Sequence, residues 1–212
     1  MVIVGVDLRA SAKRPSPVVV LDDNAQMVFF GTFGQDAEFL DLVEAHRPQF
    51  IAIGAPLRLP TGLCCLETSC ACYITGPQKK GRQLELELSR MGISCFFTNK
   101  RSIISNLIYR GVGLNRQLSE AGYNVIEVYP HASKVILFGD KAPPKNSAGS
   151  IAFMRERLSA LVRGLDDHLS RMDRNGCDAV LNAYTALLHH QERTDMLGSP
   201  DEGMLVLPGL PR

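Results

Sequence analysis

The sequence predicts an α/β fold built on a mixed sheet, an antiparallel meander that becomes parallel, flanked by helices. Three observations carry this. Three strand-like runs stand close together at the start. A fourth follows a single helical segment. From there, helical and strand-like patterns alternate to the end.

VIVGVDL (2–8) is rich in β-branched residues, ends in an acid and reads as a buried strand. SPVVVLDD (16–23) and AQMVFFGTF (25–33) read as two strands joined by a turn at Asp23-Asn24. Asp36 is placed to cap a helix over 37–46, with Phe39, Leu40 and Val43 on one face. QFIAIGAP (49–56) is a fourth strand, stopped by Pro56. From Arg58 to Gly81 the pattern turns irregular. RQLELELSRMG (82–92) reads as a helix with a glycine stop. ISCFFT (93–98) reads as a short strand. SIISNLIYRGVGLNRQLSEAG (102–122) reads as a long helix with Leu107, Leu114 and Leu118 in its buried stripe and Gly111 and Gly113 weakening its middle. YNVIEVYP (123–130) is a strand closed by Pro130, and HASKVILFG (131–139) starts a short helix. DKAPPKNSAGS (140–150), polar with two prolines and a glycine, is predicted to be a mobile loop. Helices over 151–165 and 173–192 and a strand at 203–208 complete the chain. This order is that of the ribonuclease H-like fold, which the halves of actin-like ATPases share.

The 212 residues are 45% hydrophobic and 21% charged, the balance of a soluble globular protein whose core needs no disulfide staple. They are read as one domain, 1–212, with a Cys-containing insertion at about 58–81. No apolar run reaches the roughly 20 residues of a membrane span, so no membrane partner is expected. The apolar start MVIVGVDL is short, lacks a basic leader and carries Asp7; it is not a signal peptide, and a cytoplasmic location is expected. A net charge of +1 argues against a globally basic nucleic-acid binder. The clusters Lys13-Arg14, Lys79-Lys80-Arg82 and Lys100-Arg101 read as solvated surface.

Sites in open α/β sheets form at the carboxyl ends of strands. Asp7 ends the first strand, Glu127 lies near the end of VIEVYP, and Asp178 sits in the opening turn of a strongly apolar helix. Each acid has an ordinary explanation: Asp7 ends a strand, Glu127 bridges to an arginine, Asp178 stabilises a helix N-terminus. Taken together they can converge on one point, as a carboxylate site for hard Mg²⁺ or Mn²⁺ ions requires. His131 falls near the same sheet edge. No glycine-rich phosphate loop is present, which counts against an actin-like ATPase.

Cys64, Cys65, Cys70 and Cys72 fall within nine residues, in the pattern C-C-x4-C-x-C. That is not the paired C-x2-C of a zinc ribbon. Four thiolates so placed can hold Zn²⁺ or an iron–sulfur cluster, form disulfides, or stay free. Cys95 and Cys177 read as buried small apolar residues.

VGVDL, IAIGAPLRLP, GRQLELELSRMGI, VIEVYP, CDAVLNAYTA and EGMLVLP, in that order, resemble the family called domain of unknown function 429, described as predicted ribonuclease H-like nucleases. The resemblance spans nearly the whole chain. It implies a ribonuclease H-like fold, a metal-dependent nuclease activity, Mg or Mn as cofactor and nucleic acid as partner. The family's first-strand aspartate matches Asp7, the glutamate of E-x-Y-P matches Glu127, and the aspartate of D-A-[LV] matches Asp178. The helix that begins R-x-C-[DE] is matched by Arg82 to Glu85, which marks both as site residues. The chain departs from the family at the fourth strand, where I-D-A-P is replaced by Ile53-Gly54-Ala55-Pro56 and the carboxylate is lost. Two functional expectations follow. One is a metal-dependent nuclease with Asp7, Glu127 and Asp178 as catalytic and metal-binding residues. The other is a non-catalytic metal- or redox-sensing protein that uses the Cys64–Cys72 loop. Asp173, five residues before Asp178, is expected to cap its helix rather than join the site.

Overall fold

A computed structural model describes residues 1–11, 13–75, 80–139, 142–143, 147 and 149–209. Its elements, in chain order, are β1 (Val2–Val6), β2 (Ser16–Asp22), β3 (Met27–Phe33), α1 (Asp36–His46), β4 (Phe50–Ile53), α2 (Gln83–Arg90), α3 (Ser105–Glu120), β5 (Val125–Val128), α4 (Pro130–Phe138), α5 (Ser150–Ser159), a 3₁₀ turn (Asp166–Arg171), α6 (Arg174–His190), β6 (Thr194–Ser199) and β7 (Gly203–Pro208). Most of the predicted loop 140–150 lies outside the described residues.

The sheet has seven strands in the order β3-β2-β1-β4-β5-β7-β6. β3, β2 and β1 form the antiparallel meander. β1, β4, β5 and β7 run parallel, and β6 closes the far edge antiparallel to β7. This is the ribonuclease H-like mixed sheet. Alternation along each strand sends side chains to opposite faces. Val4, Val6, Ile51 and Ile53 pack on one face with Phe39 and Val43 of α1 and Leu114 and Leu118 of α3. Val19 and Leu21 pack on the other with Ala179, Val180 and Ala183 of α6 and with Met154 and Leu158 of α5.

α6 rests directly on β1. A β-carbon on Gly5 would stand 2.1 Å from the amide nitrogen of Ala183 and 2.6 Å from the carbonyl oxygen of Ala179. Only glycine permits that approach. Gly111 does the same for α3: a β-carbon there would meet the Pro56 carbonyl oxygen at 2.5 Å. The glycine that weakens this helix by propensity lets it close on the end of β4.

Several boundaries differ from expectation. The cap of α1 is Gln35, in a capping box with Glu38, while Asp36 in the first turn pairs with Arg110 at 2.7 Å. Asp173 does cap α6, accepting from the Gly176 amide at 2.8 Å. ISCFFT (93–98) is not a strand. Its polar groups serve α2 instead: the Cys95 thiol donates to the Glu85 carbonyl, and the Thr98 amide and hydroxyl donate to the Glu85 carboxylate. β6 was not expected, because TDMLGS lacks an alternating apolar pattern. It pairs with β7 through backbone bonds, with Met196 exposed, as suits an edge strand. Among the described residues no helix is long and apolar enough to cross a membrane.

Candidate active site and cysteine cluster

Val6 of β1, Ile53 of β4 and Glu127 of β5 form one row across the sheet. Asp7 and Gly54 stand one residue beyond that row, at the carboxyl edge. A cavity of about 510 Å³ opens there, a volume ordinary for a ligand site. Asp7, Glu127 and Asp178 all line it, together with Gly54, Arg82 and Glu85.

The acids divide by sheet face. Glu127 shares its row with Val6 and Ile53, whose side chains pack toward α1 and α3. Asp7 continues the alternation of Gly5, which faces α6. Asp178 immediately precedes Ala179, one of the two α6 residues against Gly5. It lies in the second turn of α6 rather than the first, since the helix begins at Arg174. Asp7 and Asp178 therefore belong to the α6 side, and Glu127 enters the cavity from the other. Among the described residues, no three of the acids bring their oxygens within 4.8 Å of one another.

Glu127 belongs to a buried ion network. Arg82, 2% exposed, forks onto it with Nη1 to Oε2 and Nη2 to Oε1, both at 2.7 Å. The Leu57 amide also donates to Oε2 at 2.8 Å. The same guanidinium donates from Nε to Glu85 Oε1 at 2.9 Å. Glu85 further accepts from the Arg82 amide, the Thr98 amide and the Thr98 hydroxyl. A carboxylate offers about four acceptor positions. Glu85 uses all of them and is structural; Glu127 uses three and keeps one, on Oε1. Burial alone works against the Arg82 charge, but Glu127 and Glu85 outweigh it and hold the guanidinium above its ordinary pKa. Arg82, expected as part of a solvated basic cluster, is the anchor of this network.

Asp7 is 9% exposed, and Arg9 Nη1 lies 3.7 Å from its Oδ2. The same Arg9 nitrogen donates to Asn175 Oδ1 at 3.0 Å, tying the end of β1 to the start of α6. Lys134, Arg174 and His131 add further basic groups to the cavity wall. Tyr129, at the N-cap of α4, has its hydroxyl pushed up to about 12 by burial, with Cys95 and Asp178 adding to the shift.

Gly54, where the resembling family carries an aspartate, is filled from another element. A β-carbon on Gly54 would stand 2.6 Å from Asn182 Nδ2. Asn182 is fully buried in α6, one turn beyond Asp178, and donates to the Val6 carbonyl at 2.8 Å. Its Oδ1 has no hydrogen-bond partner among the described residues. Sequence reasoning missed Asn182. Its signal was a polar residue four positions after Asp178, inside the otherwise apolar run 179–183.

Mg²⁺ and Mn²⁺ are hard ions that commonly take one or two carboxylates and complete their shell with water and substrate phosphate. Asp7 and Asp178, both lining the cavity, are the residues that would hold one such ion. Two ions would require the acid missing at Gly54 or the release of Glu127 from Arg82.

The four clustered cysteines stand apart from this cavity; none lines it. Their sulfurs all lie within 4.8 Å of one another, and they are the only group of three or more His, Cys, Asp or Glu among the described residues to do so. No cysteine is disulfide-bonded. Cys177 is buried as expected; Cys95 is half-buried and faces the cavity.

A family model described as "Protein of unknown function (DUF429)" matches residues 5–203. No curated protein matches the chain. Among solved structures, the Thermus thermophilus RuvC structure is similar with a TM-score of 0.49 and 14% identity, over 91% of this chain and 97% of that one.

Proposed function

We propose that this chain, which belongs to the family described as protein of unknown function (DUF429), is a metal-dependent phosphodiesterase of nuclease type. The observation that carries the reading is the shared cavity: Asp7, Asp178 and Glu127 line it at the carboxyl edge of the parallel strands, with basic groups on the same wall. Asp7 and Asp178 are the ligands for one Mg²⁺ or Mn²⁺. When bound, such an ion stabilises developing charge on a phosphoryl oxygen and lowers the pKa of water. Arg9, Lys134 and Arg174 supply positive charge for a nucleic-acid phosphate. Glu127 contributes its remaining acceptor position on Oε1, while its bond to Arg82 keeps that guanidinium away from substrate.

The test is hydrolysis of single-stranded, duplex and branched DNA and RNA in Mn²⁺, comparing the wild-type chain with Asp7→Asn. Cleavage that Asp7→Asn abolishes supports the reading. Wild-type turnover no higher than that control overturns it.

A second reading, a non-catalytic metal-sensing or redox-sensing protein, draws support from Gly54 and from the clustered thiols. It predicts no cleavage in that assay, with metal binding or thiol oxidation altering the protein instead.

A further inference from the structure

We infer that Cys64, Cys65, Cys70 and Cys72 form a structural site for one Zn²⁺, bound by four thiolates, that holds the loop after β4 against α3. The inference does not rest on the nuclease reading, because the cysteines and the acid cavity share no residue.

The spacing fits a single ion. A tetrahedral site with Zn–S bonds of about 2.3 Å places its sulfurs about 3.8 Å apart. Here the Cys64 and Cys70 sulfurs are 3.6 Å apart, and no pair within the four exceeds 4.8 Å. A polynuclear iron–sulfur cluster spreads its thiolates over two or more irons, and those on different irons must stand further apart than these sulfurs do. Sulfur donors also select against the hard ions suited to the acid cavity.

The loop has a need that such a site would meet. No helix or strand lies between Ile53 and Gln83 among the described residues, and between positions 58 and 75 only Pro60 and Leu66 are buried. So little apolar burial stabilises a long loop poorly, and metal ligation commonly replaces a core in such segments. The loop is nevertheless fixed at several points. The Leu66 amide donates to the Tyr109 hydroxyl of α3 at 2.7 Å, and that hydroxyl donates to Glu67 at 3.1 Å. The Thr61 amide donates to Glu202, and the Thr75 amide returns to the Thr61 carbonyl. Lys100 donates from Nζ to the Cys70 carbonyl. Four thiolates on Zn²⁺ leave a net charge of −2, and Lys100 places a cation at the edge of that charge. Binding releases the thiol protons to solvent.

The experiment uses the full chain, purified anaerobically, stripped with chelator and titrated with Co²⁺ alone. The expected result is one thiolate-bound Co²⁺ per chain, with the visible bands of tetrahedral tetrathiolate cobalt, displaced by Zn²⁺. Zn²⁺ should raise the melting temperature of the stripped protein. Cys70→Ser with Cys72→Ser should weaken binding beyond the roughly 10–100-fold that outer-shell changes cost. Alkylating the thiols of the stripped wild-type chain removes the ligands without requiring a variant to fold, and should abolish the bands. Absence of the thiolate–cobalt bands, bands unchanged by alkylation, or an iron–sulfur absorption in the purified protein would overturn the inference. The nuclease assay, run on zinc-loaded protein, reads Asp7 separately, so either conclusion can fail alone.

Discussion

The side-chain amide of Asn182 occupies the space that a β-carbon on Gly54 would take, 2.6 Å from that position. The acid that the resembling family carries on the fourth strand cannot simply be restored here. Gly54→Asp alone should destabilise the protein by about 1–3 kcal/mol through overpacking. Asn182→Ala frees the space, and the Val6 carbonyl keeps its bond from the Gly54 amide at 2.9 Å. Gly54→Asp with Asn182→Ala should recover most of the loss and raise Mn²⁺-dependent cleavage above either single variant. Thermal unfolding and the cleavage assay check both points. A neutral Gly54→Asp single variant would refute the packing relationship.

Arg82 holds two buried carboxylates, so its removal leaves both without their cation. Arg82→Met should cost about 3–5 kcal/mol, the range for breaking one side of a buried ion pair. Arg82→Lys should not rescue it, because an ammonium cannot fork onto Glu127 and reach Glu85 at once. Denaturant unfolding measures this, and a loss below about 1 kcal/mol for Arg82→Met would show that the network contributes little.

Gly5→Ala should be among the most damaging single-methyl additions in the chain. The new carbon would meet backbone atoms of Ala179 and Ala183, which cannot rotate away, so α6 must lift off β1. The expected cost is about 3 kcal/mol or more. Gly113, whose β-carbon would meet nothing within 4 Å, is the control; Gly113→Ala should be stabilising by up to about 1 kcal/mol.

The six thiols should react in two classes. Burial pushes the Cys177 thiol up to about 12 and the Cys95 thiol up to about 11, with nearby acids adding to each shift. At pH 8 both stay protonated and slow toward an alkylating reagent. In chelator-stripped protein, Zn²⁺ should slow alkylation of the four clustered thiols and leave that of Cys95 and Cys177 unchanged. Mass mapping of labelled cysteines reads this directly.

Burial lowers the pKa of His189, which packs edge-on to Phe50 and shares a hydrogen bond with Thr194. A depressed folded-state pKa favours the neutral ring. Its stabilising contribution is complete above the unfolded value of about 6.5 and is lost as pH falls through the folded value. His189→Phe should therefore flatten the fall in melting temperature between pH 7.5 and pH 5. An unchanged slope would dismiss His189 as its source.

Much of this architecture was legible in the residues. VIVGVDL, SPVVVLDD and FIAI carry β-branched patterns dense enough to identify their strands, and the order of elements set the sheet type. β6 was hidden because an edge strand closed by backbone bonds needs no apolar alternation. ISCFFT misled because its β-forming residues serve Glu85 rather than a neighbouring strand. Within the site, Asp7, Glu127 and Asp178 were identifiable as acids at one sheet edge. Their division between faces was not, since it depends on a register linking Val6, Ile53 and Glu127 across some 120 residues of chain. The pairing of Arg82 with Glu127 and the filling of Gly54 by Asn182 are likewise products of tertiary packing between distant segments.

The contact between Gly5 and α6 also bears on how the molecule opens. Asp7 leaves β1 two residues after Gly5, and Asp178 precedes Ala179 in the helix that Gly5 touches, so both aspartates ride on one strand–helix unit with no slack between its backbones. Amide hydrogens in β1 and in the middle of α6 should be the last to exchange with deuterium, through global unfolding alone. Those of residues 61–75 should exchange through local opening. The cysteine loop can loosen and re-form while β1 and α6 keep their contact, so metal gained or lost at the thiols would leave the unit that carries both aspartates intact.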